Sequence, residues 1–167
     1  MVHQNADLVN LIPYHLILNS AGVGLYGLDT KGNATFFNPA AGKMLGWTPA
    51  EILGRHMHRL LHHSKEDGSP YPEQDCPIYA ALKDGSVHAI YHEVFWAKAG
   101  KPFPVEYLST PIRKRGEIVG AVVTFTDRLK CEVAREALRV FAENPRAATE
   151  FSEWCMQRKA QKERGGS

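Results

Sequence analysis

The spacing of apolar residues changes twice along the chain and divides it into three parts. Residues 1–20 show helical spacing, with a break expected near Pro13 because proline removes a helical hydrogen bond. Residues 21–127 alternate between strand-like and helix-like patterns, and residues 128–167 return to helical spacing. We therefore predict an N-terminal helical cap, a central domain and a C-terminal helical extension with these bounds.

The central part opens with two strand candidates. Residues 23–28 are apolar on both faces, as in a buried strand, and residues 34–37 are mainly β-branched and aromatic. Residues 29–32 form a turn that ends in glycine. Asn38 can cap a helix and Pro39 suits its first position, so a strand pair followed by a helix is predicted.

Further short helices follow before the sequence returns to strands. Thr48 and Glu51 have the spacing of a capping box, and residues 55–63 form another helical segment. Residues 64–76 are polar and rich in glycine and proline, which indicates a loop. Residues 77–84 form the last helix of this block, with proline at its start.

Three strand candidates, 87–97, 103–113 and 117–126, complete the central part and are joined by short turns. Strands grouped on either side of a helical block indicate an α+β fold with an antiparallel sheet. The helices must cover one face of this sheet, and a ligand can bind in the space between the two layers.

Composition narrows the class of protein. The chain has 167 residues, 44% of them hydrophobic, and a formal net charge of +2, which gives no argument for nucleic-acid binding. No apolar run is long enough for a transmembrane helix, and we expect no secretory signal. Three widely spaced cysteines do not make a disulfide framework, so a cytoplasmic protein is expected.

Several segments together resemble a PAS domain. They are FFNPAAGKMLGW, EILGRHMHRLLHH, DGSPYPEQDCPIYAALKDG, EVFWAKAGKPFPVEYLSTPIR and GEIVGAVVTFTD. The resemblance covers residues 10–128 and is to the bacterial subgroup that precedes histidine kinases, diguanylate cyclases and transcription activators. It implies a five-stranded antiparallel sheet flanked by short helices, with a sensory or interaction role rather than catalysis.

The end of the last strand departs from the family pattern. Such domains usually end with Asp-Ile-Thr, whereas this chain has Asp127-Arg128-Leu129. The resemblance makes Asp127 and Arg128 candidates for signal relay. The usual Lys-Asp-Gly hairpin reads Lys98-Ala99-Gly100. No kinase, cyclase or DNA-binding domain follows, so we expect the output in a partner chain, in a self-associated dimer or in sequence outside this chain.

Aromatic and polar residues of the strands and helices are candidates for a ligand pocket between sheet and helices. The candidates are Phe36, Met57, Tyr79, His92, Tyr107, Ser109 and Phe125. Residues of this kind also commonly fill a core without binding a ligand.

A histidine-rich segment, 56–63, offers an alternative metal site. His58 and His62 lie four residues apart and share a helix face, and Cys76 can complete the set after folding. His88 and His92 are further candidate ligands. The alternative is that these histidines are exposed or hydrogen-bond the following loop, since no closed ligand spacing supports a metal.

Neither heme, flavin nor zinc is required by the sequence. In heme-binding relatives the axial histidine usually lies on the helix before the third strand, and residues 77–83 contain none. Light-sensing relatives carry a reactive cysteine where this chain has residues 54–58, so flavin photo-adduct chemistry is excluded. Cys76 precedes a helix, which can lower a thiol pKa and suit a redox role; the alternative is a buried structural cysteine.

Two functional hypotheses follow. The first is a non-catalytic sensor that binds a small ligand or partner, forms a homodimer through the N-terminal helix and residues 128–142, and regulates a kinase, cyclase or transcription factor. The second is a metal-, heme- or flavin-dependent redox or gas sensor that uses residues 56–63 and Cys76. Catalysis is not expected, because Glu93 and Glu106 have no geometric link to a substrate.

The basic end, 158–164, contains glutamate and glutamine. This mixture indicates a solvated helix end rather than a nucleic-acid or membrane contact.

Overall fold

The computed structural model describes residues 13–143. The part of the predicted C-terminal helical extension after residue 143, including the basic end, and most of the predicted N-terminal helix lie outside the described residues. Within them, the chain divides into two compact units after Arg128. The three-part domain division stays a prediction.

The described elements follow the predicted order of two strands, a block of short helices and three further strands, and the helical block also contains a short 3-10 helix, Glu73–Asp75. In chain order they are α1 (Tyr14–Ser20), β1 (Gly24–Leu28), β2 (Ala34–Phe37), α2 (Pro39–Leu45), α3 (Pro49–Ile52), α4 (Met57–Leu61), α5 (Pro77–Asp84), β3 (His88–Trp96), β4 (Pro102–Lys114), β5 (Glu117–Asp127) and α6 (Arg128–Glu143). The strands form one antiparallel sheet in the order β2-β1-β5-β4-β3. The predicted α+β fold with five antiparallel strands is confirmed.

The core lies between one face of the sheet and helices α2 to α5. Its largest fully buried side chains include Tyr26, Phe95 and Phe125 from the sheet. Helix residues Leu45 and Leu61 belong to the same buried cluster. Among the described residues, the opposite face of the sheet exposes apolar side chains that include Tyr91 and Leu108.

Local signals set the helix starts. Asn38 caps α2, because its Oδ1 accepts a hydrogen bond from the backbone N–H of Ala41 at 2.9 Å. The carboxylate of Glu51 accepts from the backbone N–H of Thr48 at 3.0 Å at the start of α3. Helix α1 begins directly after Pro13, where the sequence predicts a break.

The prediction that Phe36 faces the core is wrong. In β2, Phe37 is buried and pairs with Tyr26, whereas Phe36 pairs with Gly27 and is only partly buried. Successive strand residues point to opposite faces, so only one of two adjacent phenylalanines can face the helices. The sequence does not show which one, because the register depends on the partner strand.

A bulge in β3 determines which polar side chains reach the core side of the sheet. Ile90 pairs with Tyr107 and Glu93 pairs with Val105, so β3 advances three residues while β4 advances two. The extra residue keeps Ile90 and Glu93 on the helix-covered face. His92 is consequently exposed and does not lie between sheet and helices, where simple alternation from Ile90 would place it.

Candidate functional site

Three metal-ligating side chains meet on the core side of the molecule. His58 lies in α4, His62 directly follows α4, and Cys76 directly precedes α5. All three are buried, and one donor atom from each lies within 4.8 Å of the others. We call them, together with Glu93, the His-Cys-Glu cluster. The backbone N–H of His62 donates to the carbonyl oxygen of His58 at 3.0 Å and so continues the helical turn, which brings the two histidines to one face.

His62 is the centre of the cluster. Its Nδ1 lies 3.1 Å from Cys76 Sγ, and its Nε2 lies 2.8 Å from Glu93 Oε2. The second contact has ion-pair distance, although the ring N–H does not point straight at the oxygen. The ring is held edge-on against Tyr71, with 4.7 Å between the ring centres.

Glu93 accepts hydrogen bonds from two tyrosines. Tyr71 Oη donates to Oε1 at 2.9 Å, and Tyr107 Oη donates to Oε2 at 2.7 Å. Burial acts to raise the pKa of Glu93, but the contacts with His62, Tyr107 and Tyr71 outweigh it and lower that pKa below its usual value. Glu93 is therefore an ionised carboxylate at neutral pH.

His58 has one satisfied and one unsatisfied ring nitrogen. Its Nε2 lies 2.8 Å from the carbonyl oxygen of Tyr71. A carbonyl can only accept, so the proton is assigned to Nε2, which donates. Its Nδ1 then carries a lone pair, and that buried atom has no hydrogen-bond partner among the described residues. Burial also lowers the pKa of His58, which favours the neutral ring.

Cys76 is 1% exposed and its thiol is protonated at neutral pH. Burial raises the pKa of Cys76 to about 12, although backbone N–H groups at the start of α5 act to lower it. The expected activation of this thiol by the helix start is therefore outweighed by burial. This environment favours the structural alternative for Cys76 over a redox-active thiolate.

An open cleft of about 580 Å³ leads from solvent to the cluster. It is lined by loop residues 64–67, by Tyr71 and Asp75, and by His62, His92, Glu93 and Val94. The cleft therefore gives small solutes and ions a route to His62 and Glu93.

The other predicted pocket residues belong mainly to the packed core. Met57 and Phe125 are buried in the apolar cluster. Tyr79 Oη donates to the carbonyl oxygen of Gly32 at 3.1 Å, and Ser109 Oγ donates to the carbonyl oxygen of Ile78 at 3.2 Å. Two members of this set contact the His-Cys-Glu cluster: Tyr107 donates to Glu93, and the Tyr79 ring lies edge-on to His58 with 5.7 Å between the ring centres. A ligand-binding role for the set stays a prediction.

The two predicted relay residues lie at the junction of β5 and α6. Asp127 is the last residue of β5 and pairs with Val105, and Arg128 is the first residue of α6. Arg128 Nη1 donates to His92 Nδ1 at 3.4 Å. The outward side of the β3 bulge therefore touches the start of the C-terminal helix.

Sequence reasoning did not place Tyr71 or Glu93 in the site. Tyr71 lies in a polar loop whose path no periodicity predicts. Glu93 reaches the cluster only because of the bulge, and nothing in the residue types of β3 marks that irregularity.

Comparison with known proteins identifies the fold family. A family model described as the PAS fold matches residues 13–128. The chain is 35% identical over 115 residues to the probable diguanylate cyclase DgcE of Escherichia coli (strain K12), covering 68% of this chain and 10% of that protein. It is 27% identical over 137 residues to the signal transduction histidine-protein kinase AtoS of the same organism, covering 80% of this chain and 20% of that protein.

Solved structures agree on the fold. The PAS domain of nitrogen regulation protein NR(II) from Vibrio parahaemolyticus matches with a TM-score of 0.55 and 19% identity, over 70% of this chain and 98% of that chain. An RNA-binding light-oxygen-voltage receptor matches with a TM-score of 0.58 and 22% identity, over 71% of this chain and 35% of that chain. Among the described residues, no helix combines the length and apolar content needed to cross a bilayer. The chain belongs to the PAS family, and its relatives place it in the sensory subgroup associated with kinases and cyclases.

Proposed function

We propose that this PAS domain is a non-catalytic sensor that transmits the state of the His-Cys-Glu cluster to the start of α6. The observation that carries the proposal is the β3 bulge, which turns Glu93 towards the cluster and leaves its neighbour His92 beside Arg128. Adjacent residues of one strand share a stiff peptide unit. A displacement of Glu93 therefore moves His92 and the contact with Arg128.

The chemistry of the cluster supports sensing rather than catalysis. Glu93 is engaged by two tyrosines and His62, and the Cys76 thiol is held protonated by burial. The four residues of the His-Cys-Glu cluster therefore do not form an activated nucleophile with a free general base. The proposed module instead binds a small ligand that enters through the cleft.

We propose that the output depends on a homodimer. Helix α1 exposes the apolar side chains of Tyr14 and Ile17. The outer face of the sheet has an apolar depression of about 320 Å³ lined by residues that include Val23, Tyr91 and Leu108. A second copy of the chain covering these surfaces would remove apolar area from water.

The partner of the proposed dimer is a signalling protein of the cytoplasm: a kinase, a cyclase or a transcription regulator. The chain spans only about a tenth and a fifth of the length of the curated relatives it matches. The enzymatic activities of these relatives therefore suggest only the kind of protein that the proposed module regulates. The proposed cytoplasmic location rests on the cysteine pattern.

Hydrogen exchange measured by mass spectrometry tests the relay. Glu93→Gln should increase amide exchange in residues 128–136, because a neutral side chain holds His62 and the tyrosines less firmly. Combining it with His92→Ala should give less than the sum of the two single effects, since both act through one contact. Glu117→Gln is the matched control, because Glu117 is exposed at the start of β5 and does not line the cleft. Unchanged exchange at 128–136 in Glu93→Gln, with the protein folded, would contradict the relay.

Light scattering tests the dimer separately. Leu108→Asp should shift the full chain towards the monomer, because a carboxylate would be buried at the proposed interface. Leu53→Asp places the same charge at an exposed apolar residue after α3 and should leave the association unchanged. Equal association of both variants and the wild type would overturn the interface.

A further inference from the structure

We infer that His58, His62 and Cys76 form a binding site for a zinc ion, with Nδ1, Nδ1 and Sγ as the three protein ligands. Zinc would be the ligand of the proposed sensor, and its signalling role rests on that proposal, whereas the site itself depends only on the positions of the three side chains.

Both histidines present the nitrogen that a metal needs. Nε2 of His58 donates to a backbone carbonyl, and Nε2 of His62 faces the Glu93 carboxylate. These contacts assign the ring protons to Nε2 in both histidines. The Nδ1 lone pair of His58 is then without a partner among the described residues, and that of His62 accepts from the Cys76 thiol, whose proton leaves when a metal binds. Metal-bound histidines almost always have this arrangement, with the other ring nitrogen donating to a carbonyl or carboxylate.

The unpartnered Nδ1 of His58 is the observation that a purely structural role does not explain. His58 is 6% exposed, and this atom has no hydrogen-bond partner among the described residues. A buried polar atom without a partner costs about 1–3 kcal/mol, so native proteins rarely retain one. A metal ion held between this atom, His62 and Cys76 would satisfy it.

The donor set and spacing favour zinc. A thiolate and two imidazoles suit zinc and other borderline or soft ions, whereas calcium and magnesium require oxygen ligands. Zinc bonds of about 2.0–2.1 Å to nitrogen and about 2.3 Å to sulfur place tetrahedral ligands roughly 3.3–3.5 Å apart. His62 Nδ1 and Cys76 Sγ are 3.1 Å apart and the whole set lies within 4.8 Å, so small side-chain rotations suffice. On binding, the Zn–S bond forms as the thiol proton passes to solvent.

The surroundings complete the site. Glu93 orients His62 from behind and is itself fixed by Tyr71 and Tyr107. The cleft lined by His62 and Glu93 supplies the route of entry. Three protein ligands leave a fourth position on the ion for water, which a solute entering the cleft can exchange.

The test uses the full chain, purified without an affinity tag and freed of metal with a chelator. Elemental analysis after equilibration with zinc chloride should give one zinc per chain. Replacing zinc with cobalt(II) should give tetrahedral ligand-field bands and a thiolate-to-cobalt charge-transfer band. A wild-type protein that takes up no stoichiometric zinc and gives no thiolate band would overturn the inference without the need for any variant.

Variants identify the ligands. Cys76→Ser should abolish the charge-transfer band, and His58→Gln and His62→Gln should each remove stoichiometric zinc. Glu93→Gln should retain the band but weaken zinc binding about 10- to 100-fold, as expected for a residue that positions a ligand. His63→Gln, exposed and next to His62, and Cys131→Ser are the matched controls and should bind zinc like the wild type.

Zinc binding that survives both Cys76→Ser and His62→Gln, with circular dichroism showing folded proteins, would overturn the site. Zinc bound by these ligands without any change of exchange at residues 128–136 would leave the site intact and contradict only the relay. The two proposals therefore fail on different measurements.

Discussion

The side-chain amide of Asn38 donates to the carbonyl oxygen of Leu18 at 3.1 Å and so ties α1 to the start of α2. Its Nδ2 also donates to the carbonyl oxygen of Val23, and its Oδ1 accepts from the backbone N–H groups of Leu25 and Ala41. This fully buried side chain thus satisfies four backbone groups from three elements and the segment before β1. The sequence predicts only the cap.

We predict that Asn38→Ala lowers the free energy of unfolding by about 2–4 kcal/mol, since it leaves buried backbone donors and acceptors without partners. Chemical denaturation of the full chain measures the change. Asn19→Ala, at an exposed position of α1, should stay within about 0.5 kcal/mol of the wild type. Equal stabilities of the two variants would show that Asn38 is not the link described.

Tyr107→Phe should destabilise the protein by about 1.5–3 kcal/mol, because the half-buried carboxylate of Glu93 loses a charge-assisted hydrogen bond of 2.7 Å. Tyr91→Phe is the matched control, since Tyr91 is exposed on the neighbouring strand. Thermal melting in the presence of chelator measures both variants without a metal contribution. A Tyr107→Phe protein as stable as Tyr91→Phe would refute this account of Glu93.

The lowered pKa of Glu51 predicts that the protein loses stability in acid. The hydrogen bond from Lys98 and then those from Thr48 lower the pKa of Glu51 from 4.5 to about 2 in the folded protein. A carboxyl group whose pKa is lower in the folded than in the unfolded protein stabilises the fold fully when the pH is above the unfolded-state pKa. This stabilisation is lost as the pH falls towards the folded-state pKa.

The difference in melting temperature between the wild type and Glu51→Gln should therefore be constant above about pH 5 and shrink between 4.5 and about 2. Glu66→Gln, in the exposed loop, serves as the control for a general effect of removing a carboxylate. A difference for Glu51→Gln that is the same at pH 6 and pH 2 would contradict the prediction.

Local chemistry explains which features were predictable. The caps at Asn38 and Thr48, the turns and the helical spacing of His58 and His62 depend on residues close in sequence, and the structure agrees with each. The choice between Phe36 and Phe37, and between His92 and Glu93, depends on strand register and on a bulge. Both are set by pairing with a distant strand, so residue types alone do not reveal them.

The pKa of Cys76 is another property that the sequence alone does not reveal. Its place before a helix is visible in the sequence and argues for an acidic thiol, yet burial decides the outcome and raises the pKa to about 12. Burial depends on how loop 64–75, α4 and β3 pack together. The sequence offers Cys76 as a partner of His62, and the two side chains lie 3.1 Å apart in the folded chain. The contacts of Tyr71 and Glu93 with this pair depend on the folded structure and are not visible in the sequence.

The extra residue in β3 separates the fate of the carboxylate from that of its neighbour His92. Deleting Tyr91 or His92 would leave Ile90 and Glu93 two residues apart, so that simple alternation would keep both on the helix-covered face without a bulge. A single-codon deletion of His92 would thus remove the contact with Arg128 and leave the carboxylate on the side of His62. Among homologous chains, two residues between the positions of Ile90 and Glu93 would therefore require a bulge to place both on one face, whereas one residue would not.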